Sequence, residues 1–257
     1  VNDGGHYVDA GRSWDEPFAQ NEQEWLNAIK HMFSFLHTYA PDVRFVCNGG
    51  YVSDMNQFDD IFRHVTGFIQ EGFLMPADWW RWQFAAWQWD RYSGTARDKI
   101  QIYQIFDIPP APDGAARLRS AYAAYLVCRG KNSFFGPQDD PCYEVEPSRY
   151  AAVKNAMGMP TADGTYEREP GGKTQDRLYM RECEGGIAYL NFTGKTKTVT
   201  LPEGTWYHAD GRAITSLTIA NMEGEPALRS AEPRAPWPCI NPRLASRVVG
   251  PVAVTLS

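Results

Sequence analysis

Gly67-Phe68-Ile69-Gln70-Glu71-Gly72-Phe73 is a short apolar run with a carboxylate close to its end. Three further runs share this form, each apolar with a polar side chain at or near its C-terminal end, and they span residues 5–9, 43–48 and 99–107. Short apolar runs of this kind predict buried strands. The C-terminal ends of parallel strands lie along one edge of a sheet, where polar side chains distant in sequence converge. We therefore expect Asp9 and Glu71 to face each other across that edge.

Helical patterns separate the predicted strands. Apolar residues recur at helical spacing in residues 21–40 and again in residues 114–129. The strand starts are about 25–40 residues apart, the spacing of βα units in a parallel sheet. A last predicted strand at 133–136 brings the number of visible units to five, whereas a closed (β/α)₈ barrel needs eight. The sequence predicts a TIM-type (β/α) barrel portion over residues 1–160. It lacks its first three βα units, which another chain or a missing N-terminal segment would supply.

The pattern changes after about residue 140. Residues 161–176 are rich in Gly, Pro and charge and predict a linker. Residues 177–257 consist of short β-type runs separated by Gly and Pro turns, a pattern typical of antiparallel sandwiches. The fold class we expect is therefore α/β: a catalytic barrel portion, a linker, and a C-terminal antiparallel β-sandwich.

Composition limits the classes of partner. The chain has 257 residues, a net charge of −6 and an aromatic share of 14%. No basic stripe is present, which argues against nucleic acid, and no apolar run is long enough to cross a membrane. A neutral carbohydrate substrate fits this charge. The compartment stays open, with secretion or the periplasm as options.

Cysteine spacing and short motifs give no sign of a cofactor. The five cysteines form no CxxC or other metal-ligand spacing. No Gly-rich phosphate loop, GxSxG elbow or HExxH motif occurs. We expect no metal and no cofactor. The sequon Asn191-Phe192-Thr193 is a glycosylation acceptor only in a eukaryotic secretory context.

The strand-end carboxylates suit glycoside hydrolysis. One carboxyl group must protonate the leaving oxygen, while a second acts as nucleophile or as base for water. Strand ends hold such groups rigidly. Asp9 is the predicted nucleophile or base and Glu71 the predicted general acid/base. The alternative is that each is an ion-paired or capping carboxylate.

Polar and aromatic residues near the same predicted edge are candidates for substrate binding. Asn48 ends one predicted strand and is either a sugar ligand or a turn residue before Gly49-Gly50. Asp107 is either a pocket residue or a helix N-cap. Most tryptophans of the 79–89 cluster are expected in the core. The predicted substrate-binding residues are Arg12, Trp14, Asn48, Trp79, Gln104 and Asp107.

Several motifs resemble one enzyme group. Tyr7-Val8-Asp9, Phe68-Ile69-Gln70-Glu71-Gly72 and the tail-like run at 186–207 resemble the C-terminal part of a (β/α)₈-barrel glycoside hydrolase. More narrowly, they are similar to bacterial glycosidase-like families related to the α-galactosidase clan. In that clan the nucleophile ends the fourth barrel strand and the acid/base ends the sixth, places that Asp9 and Glu71 would occupy. The resemblance also implies the C-terminal β-sandwich.

These observations predict a glycoside hydrolase that cleaves an oligo- or polysaccharide with two carboxylates. A retaining enzyme has its carboxyl groups about 5 Å apart, and an inverting enzyme roughly 6.5–9.5 Å apart. The alternative class is a carbohydrate-binding or assembly protein without turnover. A carboxylate-dependent lyase is a third alternative.

Overall fold

The computed structural model describes residues 22–48, 65–70, 73, 99–105, 113–137, 157–174 and 176–231. Within these ranges the chain forms two helices and twelve strands. The helices are α1 Glu22–Tyr39 and α2 Asp113–Cys128. The first four strands are β1 Val46–Asn48, β2 Gly67–Gln70, β3 Ile100–Ile105 and β4 Ser133–Pro137. The remaining strands are β5 Thr165–Arg168, β6 Arg177–Cys183, β7 Gly186–Asn191, β8 Lys197–Thr200, β9 Trp206–Tyr207, β10 Ala213–Ile214, β11 Ser216–Ile219 and β12 Glu223–Leu228.

Strands β1 to β4 form a parallel sheet in chain order. The apolar runs at 43–48, 67–73, 99–106 and 133–136 predicted these strands, and they are confirmed. Gly67 allows β2 to lie close to β3, because a Cβ atom at this position would collide with the carbonyl oxygen of Ile100. Because all four strands are parallel, their C-terminal ends lie along one edge, which we call the carboxyl edge.

The two faces of the parallel sheet differ. Tyr103 and Phe68 are buried on the face that helix α2 covers. The Tyr103 ring lies edge-on to Tyr125 of α2, with ring centroids 5.5 Å apart, and Tyr125 also packs on Phe135 of β4. Strand residues alternate between faces, so Phe134, the neighbour of Phe135, belongs to the opposite face and is 37% exposed.

The second sheet has six antiparallel strands in the order β10-β9-β12-β7-β6-β5. A two-stranded ladder of β8 and β11 packs against it through a second apolar cluster that includes Ile187, Trp206 and Leu217. Trp206 is buried, and its indole Nε1–H donates to the Pro202 carbonyl at 2.8 Å. Strand β5 lies inside the segment expected to be a linker.

Helix α2 lies between the two sheets. On its second side Ala123 meets Gly224 of β12, where an added Cβ atom would stand 2.8 Å from the Ala123 Cβ atom. The Gly224 amide donates to the Ser120 hydroxyl at 3.1 Å. Small side chains on both partners let helix and sheet approach closely. One apolar core therefore runs from Tyr103 through α2 to Tyr179 of β6.

The expected TIM-type barrel is wrong. The described part of the chain is mostly β, with three sheets, two helices and no closed barrel. A barrel helix covers its sheet on one side and faces solvent on the other, whereas α2 is buried from both sides, with Ala121, Ala123, Ala124 and Leu126 fully enclosed. The second sheet occupies the place where solvent would be.

Arg181 of β6 joins the antiparallel sheet to the end of α2. The side chain is buried, and its Nη1 donates to the carbonyl oxygens of Val127 at 3.1 Å and of Arg129 at 2.6 Å. Its Nε donates to the Ala162 carbonyl at 3.2 Å. The last carbonyls of a helix lack partners within the helix, and a cation there also opposes the negative end of the helix dipole. Arg181, a residue of the antiparallel sheet, thus caps the C-terminal end of α2.

We expect Arg181→Met to lower the free energy of unfolding by about 2–3 kcal/mol, since it leaves buried carbonyls without donors. Urea denaturation followed by circular dichroism measures the change. Arg181→Lys keeps the charge but loses the planar set of donors, so its loss should be smaller. Equal stability of the Met variant and the wild type would show that water or other groups replace the guanidinium.

Asn191, the last residue of β7, is fully buried. Its Nδ2 donates to the carbonyls of Lys195 at 2.8 Å, Ile219 at 2.9 Å and Ala220 at 3.2 Å. Its Oδ1 accepts from the Thr193 amide at 3.0 Å and the Thr193 hydroxyl at 2.8 Å. The Asn191 side chain therefore holds two loops together. Its Nδ2 atom, to which a glycan would be attached, is buried.

Neither described helix is both long enough and apolar enough to span a membrane.

Candidate active site

The carboxyl edge of the parallel sheet is the candidate site. Asn48 ends β1 and is in register with Ile69 of β2, which is in register with Ile102 of β3. Gln104 lies two residues further along β3, near its end. Two of the predicted substrate-binding residues, Asn48 and Gln104, therefore come from different strands to the same edge.

The chain on either side of Glu71 is fixed to the end of β3. Gln70 is fully buried and in register with Tyr103. Phe73 is also fully buried, and its amide donates to the Gln104 carbonyl at 2.8 Å. The Phe73 ring packs edge-on against Tyr103, with ring centroids 4.7 Å apart. The residue before Glu71 and the residue two positions after it thus both contact the end of β3.

Most of the predicted site residues lie outside the described part of the chain. These are Asp9, Arg12, Trp14, Glu71, Trp79 and Asp107. The pairing of Asp9 with Glu71 accordingly stays a prediction.

The sheet face opposite α2 holds further groups beside Gln104. Gln104 is in register with Gly136 of β4, and Ile102 is in register with Phe134. A Cβ atom built on Gly136 would meet no atom of the described residues within 4 Å, so these residues leave open space beside Gln104. The sequence predicted Phe134 and Gly136 only as strand residues. The only sequence feature that could have indicated a binding role was a glycine near the end of an aromatic strand. That feature alone does not distinguish a binding site from an ordinary strand end.

A buried polar network lies towards the opposite edge of the sheet. The Gln101 Oε1 atom accepts from the Tyr103 hydroxyl at 2.9 Å and from the Ser133 hydroxyl at 2.7 Å. The Ser133 oxygen in turn accepts from the Gly130 amide at 2.7 Å. These bonds fix the turn between α2 and β4. A network built from such satisfied neutral groups supports the sheet rather than chemistry.

Two carboxylates beside the antiparallel sheet, Glu169 and Asp210, have cationic partners. Lys195 and Lys197 hydrogen-bond Glu169 and hold its pKa below the ordinary value. The backbone N–H of Arg212 is the main cause that lowers the pKa of Asp210 to about 2. A general acid needs the opposite shift, towards the working pH. Neither group is therefore suited to protonate a leaving group.

A third carboxylate, Glu225 of β12, lies between two cations or potential cations. Its Oε1 is 3.1 Å from Nε of Arg119 on α2, and its Oε2 is 3.8 Å from Nε2 of His208. His208 Nδ1 lies 3.2 Å from Asp210. This chain of charges joins α2 to the β9–β10 turn, which gives it a structural role.

Two buried thiols are unsuited to nucleophilic catalysis. Burial is the largest cause that raises the pKa of Cys128 to about 12 and that of Cys183 to about 11. A thiol must ionise to act as a nucleophile or metal ligand. Cys128 and Cys183 are both free of any disulfide.

Within the described ranges, no three His, Cys, Asp or Glu side chains are grouped so that they could hold a metal ion. A scan against protein-family models finds no match for the chain. A search of curated proteins finds no significant match. The resemblance to glycosidases therefore stays an expectation drawn from short motifs.

Proposed function

We propose that the chain is a glycoside hydrolase that cleaves a glycosidic bond in an oligo- or polysaccharide at the carboxyl edge of the parallel sheet. Glu71 acts as general acid/base, and Asp9 acts as nucleophile or as base for water. The observation that carries the proposal is the anchoring of Gln70, which directly precedes Glu71, and of Phe73, two residues after it, to the end of β3.

Anchored flanks matter because acid catalysis depends on position. A carboxyl group that protonates a glycosidic oxygen must stay within hydrogen-bond distance of it as the bond breaks. Gln70 and Phe73 are both fully buried, which limits backbone movement on either side of the intervening carboxylate. A loop carboxylate without such support would need to be ordered by the substrate.

The neighbouring strands supply groups that suit a sugar. Asn48 of β1 and Gln104 of β3 lie at the same edge, on either side of β2. Amide groups can both donate to and accept from the hydroxyls of a sugar. The net charge of −6 disfavours anionic polymers and is compatible with neutral glycans. No metal or cofactor enters this mechanism.

A panel of 4-nitrophenyl glycosides tests the proposal. We expect release of 4-nitrophenol from at least one glucoside, galactoside, mannoside or xyloside, and the anomeric configuration of the first-formed sugar separates retention from inversion. Binding of neutral oligosaccharides without any hydrolysis would favour a carbohydrate-binding protein instead. A product with a new double bond would identify a lyase.

A further inference from the structure

The described residues of the sheet face opposite α2 include one exposed aromatic ring, that of Phe134. Phe134 is 37% exposed, while the adjacent Phe135 packs against Tyr122 and Tyr125 of α2, with ring centroids 5.7 Å and 5.4 Å away. A single exposed apolar side chain is common on proteins and by itself indicates nothing. The surroundings of this ring make it informative.

Gly136 provides the second observation. It lies two residues beyond Phe134, so the two positions share a face. In the part of the chain that the structure describes, no atom lies within 4 Å of a Cβ atom built on Gly136. Gly136 is not among the glycines with positive φ, so the backbone does not require glycine there. An unfilled volume thus lies between an exposed ring and Gln104, the residue in register with Gly136.

We propose that Phe134 and Gly136 form a sugar-binding subsite beside Gln104. A pyranose ring has an apolar C–H face and a rim of hydroxyls. The apolar face packs on the Phe134 ring through dispersion and the exclusion of water. The rim enters the space above Gly136. Paired residues on adjacent strands are about 5 Å apart, which brings a hydroxyl there within range of the Gln104 amide.

This subsite rests on the proposed function, since it takes the same class of substrate at the same edge. It adds a specificity element that no carboxylate supplies. The ring selects sugars by the shape of their apolar face, and an axial hydroxyl on that face would lie against the ring. The subsite therefore accepts neutral pyranosides whose stacked face is free of axial hydroxyls.

Three variants test the subsite, with binding to cellotriose, xylotriose, mannotriose and raffinose measured by isothermal titration calorimetry. We expect Phe134→Ala to raise the Kd of the best ligand by about ten-fold, and Phe134→Tyr, which keeps the ring, to change it by less than about three-fold. Gly136→Val fills the open space and should also raise the Kd by about ten-fold. Thr198→Val, an exposed strand position on β8, is the matched control and should leave the Kd unchanged.

The outcomes separate this inference from the proposed function. Hydrolysis by the wild type with unchanged Kd in Phe134→Ala and Gly136→Val would overturn the subsite and leave the hydrolase intact. Binding that both variants weaken, without hydrolysis by the wild type, would support the subsite and overturn the hydrolase. Failure of the wild type to bind any of the four sugars overturns the subsite, and the glycoside panel then decides the hydrolase. Urea denaturation shows whether Gly136→Val is folded, and Phe134→Ala decides if it is not.

Discussion

Glu71→Gln is expected to lower kcat for glycoside hydrolysis by at least about 10³-fold, the upper part of the range for loss of a general acid/base. Glutamine has the size of glutamate but cannot give up or take a proton near neutral pH. Because Gln70 and Phe73 hold the flanking backbone, the substitution should leave the fold unchanged. Activity on the best 4-nitrophenyl glycoside measures the loss.

The leaving group tests the assigned role. A glycoside with a weakly basic leaving group needs little protonation, so the loss caused by Glu71→Gln should be smaller for 2,4-dinitrophenyl than for methyl glycosides. Glu167→Gln, an exposed position on β5, is the matched control and should retain full activity. Near wild-type activity of Glu71→Gln would end the assignment. A uniform loss across leaving groups would instead move Glu71 to the role of nucleophile.

Asn191→Ala should give the largest loss of stability, about 3–5 kcal/mol in the free energy of unfolding, because each buried group left without a partner costs about 1–3 kcal/mol. The substitution removes the donor to three carbonyls and the acceptor of the Thr193 amide and hydroxyl. Urea denaturation measures the loss, and the thermal midpoint should fall by about 10 °C.

Asn221 provides the comparison. Its side-chain oxygen accepts from the Gly194 amide at 2.8 Å in an exposed position of the same loop pair. Water can replace that bond, so Asn221→Ala should cost less than about 1 kcal/mol. Equal losses from the two alanine variants would mean that the network around Asn191 is not closed to water.

The elements were predictable where the sequence pattern is local. Runs such as 67–70 and 100–105 are short and mostly apolar, and such runs indicate strands without further information. Helix α2 was also predicted, but as a helix with a single apolar face. Alanines at 121, 123 and 124 are ambiguous, since alanine suits both exposed and enclosed helix positions. The strands of the second sheet were predicted, but the packing of that sheet against α2 is a long-range feature that the sequence pattern did not indicate, and a barrel was predicted instead.

The site was predictable only in part. Gln104 and Asn48 follow from the rule that parallel strands end at one edge. Phe134 and Gly136 required the register of β4 against β3, which decides the face that each residue occupies. A shift of one residue would reverse those faces. No periodicity in the sequence fixes that register, because Ser133 to Gly136 alternates only weakly.

The position of α2 also bears on how this chain can change in evolution. A helix that two sheets both require cannot be inherited with one of them alone. Loss of the antiparallel half would leave Ala123 facing water, and loss of the parallel half would do the same to Tyr125. Recombination between genes would therefore have to carry both halves together, and drift at the shared helix is restricted by two neighbours instead of one.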